Sequence, residues 1–166
     1  MKADVYTDGS CAVNPGPMGA AAVVLIRKDN GDIQYKQLMS KSYGDGTNNR
    51  AELHGVILGL SMIGKMRRPE YEVTVYCDSQ WVIGALSGTF KKVTKNLDLL
   101  SLAAGLAIEY KSCQFVHVSG HAGHKWNELV DSYAVAARTS GVGVKLDNFY
   151  MPKEIPIPTT SFKEKL

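Results

Sequence analysis

Four acidic residues stand where predicted structural elements meet. Asp8 follows an alternating apolar stretch, Glu52 and Asp131 lie near the starts of helical patterns, and Asp78 follows a second apolar stretch. Strand ends and helix starts can converge on one rim of a mixed sheet, where carboxylates raise each other's pKa. A cation would neutralise them, and oxygen ligands select Mg²⁺ or Mn²⁺ over zinc. Two such ions about 4 Å apart would support phosphodiester hydrolysis.

Each acid taken alone also has an ordinary structural explanation. Carboxylates favour the first turn of a helix because of its dipole, and an Asp before Ser commonly caps a helix. Only convergence of the four side chains in space separates a metal site from four unrelated caps. The sequence permits convergence without establishing it.

The elements that must position these acids follow from hydrophobic periodicity. Alternating stretches predict strands, and apolar residues at helical spacing predict helices, the first of them capped by Asn48 or Asn49. The predicted strands are 3–7, 19–27, 32–41, 72–77 and 114–119, and the predicted helices are 49–66, 79–86, 96–110 and 127–139. This order predicts an α/β fold: a five-stranded mixed sheet, formed by an antiparallel meander plus parallel strands, with helices on both faces.

Composition places few further limits on function. The chain has 166 residues, 45% apolar and 21% charged, with a formal charge of +3. These values predict one soluble domain at 1–140, and the small basic excess is weak support for a polyanionic partner. The three cysteines lack CxxC spacing and predict reduced thiols, hence a cytoplasmic protein. We expect neither a signal peptide nor a membrane span. Residues 141–166, which contain Pro and Lys, predict an extended tail.

Five ordered segments carry a resemblance to a known family: TDGSCAVNPGPMGAA, TNNRAEL, CDSQWV, KNLDLL and SGHAGHKWNELVDSYA. Together they resemble the type 1 ribonucleases H over residues 3–139. The resemblance implies a ribonuclease H-like fold. It also implies a magnesium-dependent endonuclease that hydrolyses the RNA strand of RNA–DNA hybrids and leaves 5′-phosphate and 3′-hydroxyl ends. Two Mg²⁺ ions per site are expected, and Mn²⁺ is expected to substitute.

The resemblance also assigns roles to residues. Asp8, Glu52, Asp78 and Asp131 would be catalytic metal ligands, and His121, in a glycine-flanked loop, would assist proton movement or product release. Polar contacts to 2′-hydroxyls in the minor groove would come from the segments beside the acids, and two residues would lie near the DNA strand. The substrate-binding set is Gly9, Ser10, Cys11, Asn14, Asn48 and Gln80 on the RNA side, and Thr47 and Asn49 near the DNA strand.

The sequence departs from the family pattern in one segment that bears on the affinity for the hybrid. Many relatives carry a basic protrusion after the short helix, but here only SGTFKKVTK (87–95) precedes KNLDLL. We therefore expect a compact form that binds the hybrid more weakly, with Lys91, Lys92 and Lys95 available for phosphates. We expect a monomer, with the 141–166 tail available to bind the substrate or a protein partner.

Two alternatives remain open from sequence. One is a non-catalytic hybrid-binding module, and the other is a different nuclease on the same fold, such as a junction resolvase. A haloacid-type phosphatase is excluded, because Asp8 is followed by Gly9 and Ser10, without the second Asp that such enzymes need.

Overall fold

The computed structural model describes residues 1–119 and 124–150. The elements in this part of the chain are β1 (Lys2–Cys11), β2 (Gly16–Arg27), β3 (Ile33–Gly46), α1 (Asn48–Ser61), a 3₁₀ helix (Lys65–Glu70), β4 (Glu72–Cys77), α2 (Gln80–Leu86), α3 (Leu97–Ala107), β5 (Ser112–His117), α4 (Lys125–Ser140) and β6 (Lys145–Asp147).

The strands form one mixed sheet in the order β5-β4-β1-β2-β3-β6. The β1–β2, β2–β3 and β3–β6 pairs are antiparallel, whereas β1–β4 and β4–β5 are parallel. The predicted α/β architecture, an antiparallel meander extended by parallel strands, is confirmed. The predicted number of strands is wrong: β6 makes six within the described residues, and so the first part of the expected tail joins the sheet.

Two apolar layers hold the helices on opposite faces of the sheet. On one face Leu53, Val56 and Leu60 of α1 pack against Val5 and Val75. On the other face Leu129 and Val130 of α4 pack against Val23, Leu25 and Leu38. Because β2 is covered on both faces, it is apolar at nearly every position, as expected for a central strand.

Glycines at two contact points allow both long helices to approach the sheet closely. A Cβ atom at Gly55 of α1 would lie 2.7 Å from the carbonyl oxygen of Asp8. A Cβ atom at Gly19 of β2 would collide with the backbone of α4 at Ala134 and Arg138. These contacts fix α1 and α4 against the part of β1 that carries Asp8.

Several predicted boundaries move in the structure. β1 runs past Asp8 to Cys11, because residues 8–11 continue the ladder with β2, so Asp8 does not end its strand. Thr47 caps α1 in place of Asn48 or Asn49, with its hydroxyl accepting the Arg50 N–H at 3.3 Å. The first long helix ends at Ser61, not near residue 66, and a 3₁₀ helix containing Pro69 follows it. Among the described residues, no helix combines the length and apolarity needed to cross a membrane.

Candidate active site

Neighbouring parallel strands place the first pair of acids. The parallel register of β1 and β4 pairs Tyr6 with Tyr76. Asp8 and Asp78 each lie two residues after this pair, and so they lie at the same end of the two strands. Glu52 approaches them from α1. A Cβ atom at Gly9 would collide with the Ala51–Glu52 backbone, so helix and strand are in direct contact there.

The four carboxyl groups lie close enough to interact electrostatically, and three of them have raised pKa values. Asp8 is 3% exposed, and its pKa lies well above the usual value, first because of burial and then because of the charges on Glu52, Asp78 and Asp131. Burial, opposed in part by a hydrogen bond with Asp8, raises the pKa of Glu52 to about 8. Burial and the charge on Asp131 raise the pKa of Asp78. The structure therefore brings together the acids that the sequence left separate.

A buried thiol adjoins this cluster. The Cys77 Sγ donates to Glu52 Oε2 at 3.6 Å, and the Ser79 N–H donates to that sulfur at 3.5 Å. Burial raises the pKa of the Cys77 thiol well above its usual value, so the group is a neutral donor. One ligand atom from each of Glu52, Cys77 and Asp78 lies within 4.8 Å of the other two. Cys77 thus restrains the orientation of the Glu52 carboxyl.

The donor set fits a hard divalent cation. The ion pairs found among the described residues involve none of Asp8, Glu52, Asp78 and Asp131. Buried carboxylates without a positive partner are costly, and that cost is what raises their pKa. A divalent ion among these oxygens would remove it, and carboxylate oxygen is the ligand that Mg²⁺ and Mn²⁺ prefer.

The residues predicted to contact substrate lie at the end of β1, in the turn that follows it, and at the starts of α1 and α2. Asn14 and Asn48 are joined, because Asn14 Oδ1 accepts the Asn48 N–H at 3.1 Å and leaves the Asn14 amide group free to donate. The Cys11 thiol is buried and donates to the carbonyl of Val13 at 2.8 Å, so only the backbone of Cys11 is available to a substrate. Gln80 is exposed at the first position of α2, immediately after the turn that carries Asp78.

The comparisons with known proteins agree with this geometry. The RNase H family model matches residues 1–139. This chain belongs to the RNase H family. The ribonuclease H of Desulforamulus reducens is 34% identical over 146 residues, which cover 80% of this chain and 85% of that protein.

Solved RNase H structures also superpose well on the chain. LC9-RNase H1, described as a type 1 RNase H with the type 2 active-site motif, matches with a TM-score of 0.74 at 27% identity, over 88% of this chain and 77% of that one. LC11-RNase H1, crystallised in complex with an RNA/DNA hybrid, matches with a TM-score of 0.64 at 26% identity, over 81% of this chain and 98% of that one. The chain is therefore a type 1 RNase H, an endonucleolytic hydrolase of RNA.

Within this RNase H, the connection between α2 and α3 has the compact form expected from the sequence. Residues 87–96 contain no helix, and Lys91, Lys92 and Lys95 are all exposed. Trp81 packs against the apolar layer on the α1 side of the sheet, and Trp126 is buried at the start of α4. His121 lies outside the described residues, so its role stays a prediction.

Two residues that sequence reasoning missed contact the site. Cys77 directly precedes Asp78 in the sequence. The alternation of side chains along a strand predicts that Cys77 faces α1, so this contact could have been inferred from the sequence. Arg138 donates from Nε to the Ser10 Oγ at 2.9 Å across 128 positions of sequence, for which no local pattern exists.

Proposed function

We propose that the chain hydrolyses the RNA strand of RNA–DNA hybrids by two-metal-ion catalysis and leaves 5′-phosphate and 3′-hydroxyl ends. The observation that carries this proposal is the convergence of Asp8, Glu52, Asp78 and Asp131 in one cluster, in which burial and mutual repulsion raise the pKa values of Asp8, Glu52 and Asp78. A non-catalytic binding module would gain nothing from such a cluster, because uncompensated carboxylates lower the stability of the fold and would repel the phosphates of a nucleic acid.

The four carboxylates would hold two Mg²⁺ ions, for which Mn²⁺ can substitute. When bound, the ions would make a water a better nucleophile and stabilise charge on the departing 3′ oxygen. The chain's own residues supply orientation: the Cys77 thiol holds the Glu52 carboxyl, and the packing of α1 on β1 holds Glu52 beside Asp8. His121 would accept or donate a proton as the product leaves.

Recognition of the hybrid would come from the surface around the acids. Ser10, Asn14, Asn48 and Gln80 would contact the RNA strand in the minor groove, where the 2′-hydroxyl distinguishes RNA from DNA. Gly9 and Cys11 would contribute through their backbone, while Thr47 and Asn49 would lie near the DNA strand. The RNA/DNA hybrid bound to the structural relative LC11-RNase H1 supports this substrate class.

The deciding experiment uses a labelled RNA–DNA duplex, with double-stranded RNA and double-stranded DNA as controls. We expect cleavage of the hybrid RNA only, with Mg²⁺ or Mn²⁺, and none with chelator or in Asp78→Asn. Asp29→Asn, a change at an exposed turn, is the matched control and should retain full activity. A hybrid that is bound but stays intact with both ions would contradict the proposal and favour the binding module.

Three further expectations stay predictions: a monomeric state, a cytoplasmic location, and a protein partner for the 141–166 tail. The free state of Cys11, Cys77 and Cys113 supports the second of these. Sedimentation of the purified protein would test the first.

A further inference from the structure

Arg138 is a buried cation that has no anionic partner in the part of the chain that the structure describes. Its side chain lies in the last turn of α4 and the residue is only 7% exposed. Within residues 1–119 and 124–150, no carboxylate forms an ion pair with it. The one hydrogen bond found there runs from Arg138 Nε to the Ser10 Oγ at 2.9 Å. Arginine is rarely buried without a charged partner, so the burial of Arg138 against Ser10 indicates a specific role for this contact.

The backbone is built to bring the two residues together. Ser10 of β1 stands opposite Gly19 of β2 in the antiparallel ladder. A side chain at Gly19 would collide with α4 at Ala134 and Arg138, so only glycine lets this turn of the helix lie against the strand pair. The contact between Arg138 and Ser10 is thus set by helix packing and not by a flexible surface side chain.

The contact fixes what Ser10 can offer to a ligand. A serine hydroxyl has one hydrogen to donate and two lone pairs to accept with. Arg138 donates to the oxygen, so the Ser10 hydrogen must point to another acceptor, and the adjacent positive charge makes the hydroxyl a stronger donor. Ser10 is partly exposed and lies two residues beyond Asp8. The hydroxyl therefore presents a donor beside the carboxylate cluster.

We propose that Arg138 is a positioning residue that holds the Ser10 hydroxyl as a donor to a ribose 2′-oxygen of the bound RNA strand. A deoxyribose at that nucleotide has no such oxygen, so the Ser10–Arg138 pair would contribute to discrimination of RNA from DNA. This inference rests on the proposed function, because it names one determinant of substrate choice in the same site.

The test compares hybrids whose RNA strand carries a single 2′-deoxy nucleotide at successive positions around the cleavage site. For the wild type, one position should raise KM about fivefold, which is the effect of one lost hydrogen bond of about 1 kcal/mol. In Arg138→Met and in Ser10→Ala, the all-ribose hybrid should show that higher KM with little change in kcat, and the penalty at this position should disappear. The double variant should be no worse than either single one, and Arg138→Lys should recover part of the effect.

Two controls separate this inference from a structural role and from the proposed function. Arg67→Met removes an exposed arginine and should keep the full 2′-deoxy penalty. The same penalties are measured as Kd in the Asp78→Asn background, so the inference is tested even if the wild type does not cleave. If Ser10→Ala retains the penalty, or if Arg138→Met lowers only the melting temperature, the inference is wrong.

Discussion

At the scale of single residues, Glu52 shows how the site stores electrostatic free energy. Its carboxyl is buried, hydrogen-bonded to Asp8 and to the Cys77 thiol, and holds its proton until a pH of about 8. In the unfolded chain the same group has its ordinary pKa of 4.5. The folded protein without metal therefore binds a proton that the unfolded chain has already released, and this difference links stability to pH.

The sign of that linkage gives a prediction for the metal-free protein. The contribution of Glu52 is fully present below about pH 4.5 and is lost as the pH rises toward 8, because deprotonation then leaves a buried charge beside Asp8 and Asp78. Melting temperatures in chelator should fall across this range for the wild type and fall less steeply for Glu52→Gln. Asp8 and Asp78, whose pKa values are also raised, should keep part of the slope in the variant.

Added Mg²⁺ provides the second half of the same measurement. The ion binds the ionised cluster, so it should raise the melting temperature of the wild type more at pH 8 than at pH 5, and much less for Glu52→Gln. Equal pH slopes for the two proteins would show that Glu52 is ionised throughout and would contradict the prediction.

The site residues differ in how far a sequence can reveal them. Asp8, Glu52, Asp78 and Asp131 could be identified because each stands in a short motif that resembles the family pattern. The family resemblance implied their mutual approach, but apolar periodicity alone did not, because the approach depends on how closely α1 contacts β1 at Gly9 and Gly55. Arg138 could not be identified at all, since its relation to Ser10 exists only after α4 packs on the sheet.

At the scale of elements, the site depends on the contact between α1 and β1. Glu52 and Gly55 lie one helical turn apart, and the hydrogen that serves as the Gly55 side chain faces the backbone of Asp8. A side chain at this position would force the helix away from the strand. The separation of the Glu52 and Asp8 carboxyls therefore depends on a glycine at position 55.

Gly55→Ala should accordingly damage the site although alanine favours helices. Overpacking of this kind typically costs about 1–3 kcal/mol of stability, and we expect at least a tenfold loss of activity with a weaker response to Mg²⁺. Gly105→Ala in α3 is the matched control, because a Cβ atom there meets nothing within 4 Å. That variant should keep its activity and gain up to about 1 kcal/mol, as measured by denaturant unfolding. Full activity of Gly55→Ala would show that α1 can move without consequence.

The elements themselves were predictable in proportion to their length and periodicity. The strands and helices around the four acids follow from apolar patterns, and their order implies the sheet. β6 is only three residues long, and its pairing with Gln37, Leu38 and Met39 is decided by tertiary contact. The cap at Thr47 was missed because asparagine is a stronger N-cap residue than threonine, so propensity pointed to Asn48 or Asn49, whereas the backbone geometry places the cap one residue earlier.

At the scale of the whole molecule, only a small positive net charge is available to attract a polyanion. The net charge is +3, and the connection between α2 and α3 offers Lys91, Lys92 and Lys95 in a loop without a helix. Each lysine that contacts a phosphate releases a counterion and makes the affinity depend on salt. Such contacts add affinity without sequence preference.

Replacement of these three lysines by alanine should therefore reduce the salt dependence of hybrid binding. If all three contact phosphates, the slope of log K against log salt should fall by about 2–3, with kcat unchanged. A control variant in which Lys28, Lys65 and Lys111 become alanine carries the same change in net charge at other exposed positions. Equal slopes for the two variants would show that total charge, and not this loop, governs binding.

The short strand β6 has a consequence for how copies of the molecule meet. β3 is fourteen residues long, and a strand of that length at the edge of a sheet would present a row of free N–H and C=O groups to any other chain. Residues 144–148 occupy these groups from Lys36 to Ser40, through β6 and through hydrogen bonds of Val144 and Asn148. The outermost strand that results is short and carries Lys145 and Asp147. The segment after α4 thus protects this edge of the sheet, along residues 36–40, against pairing with another chain.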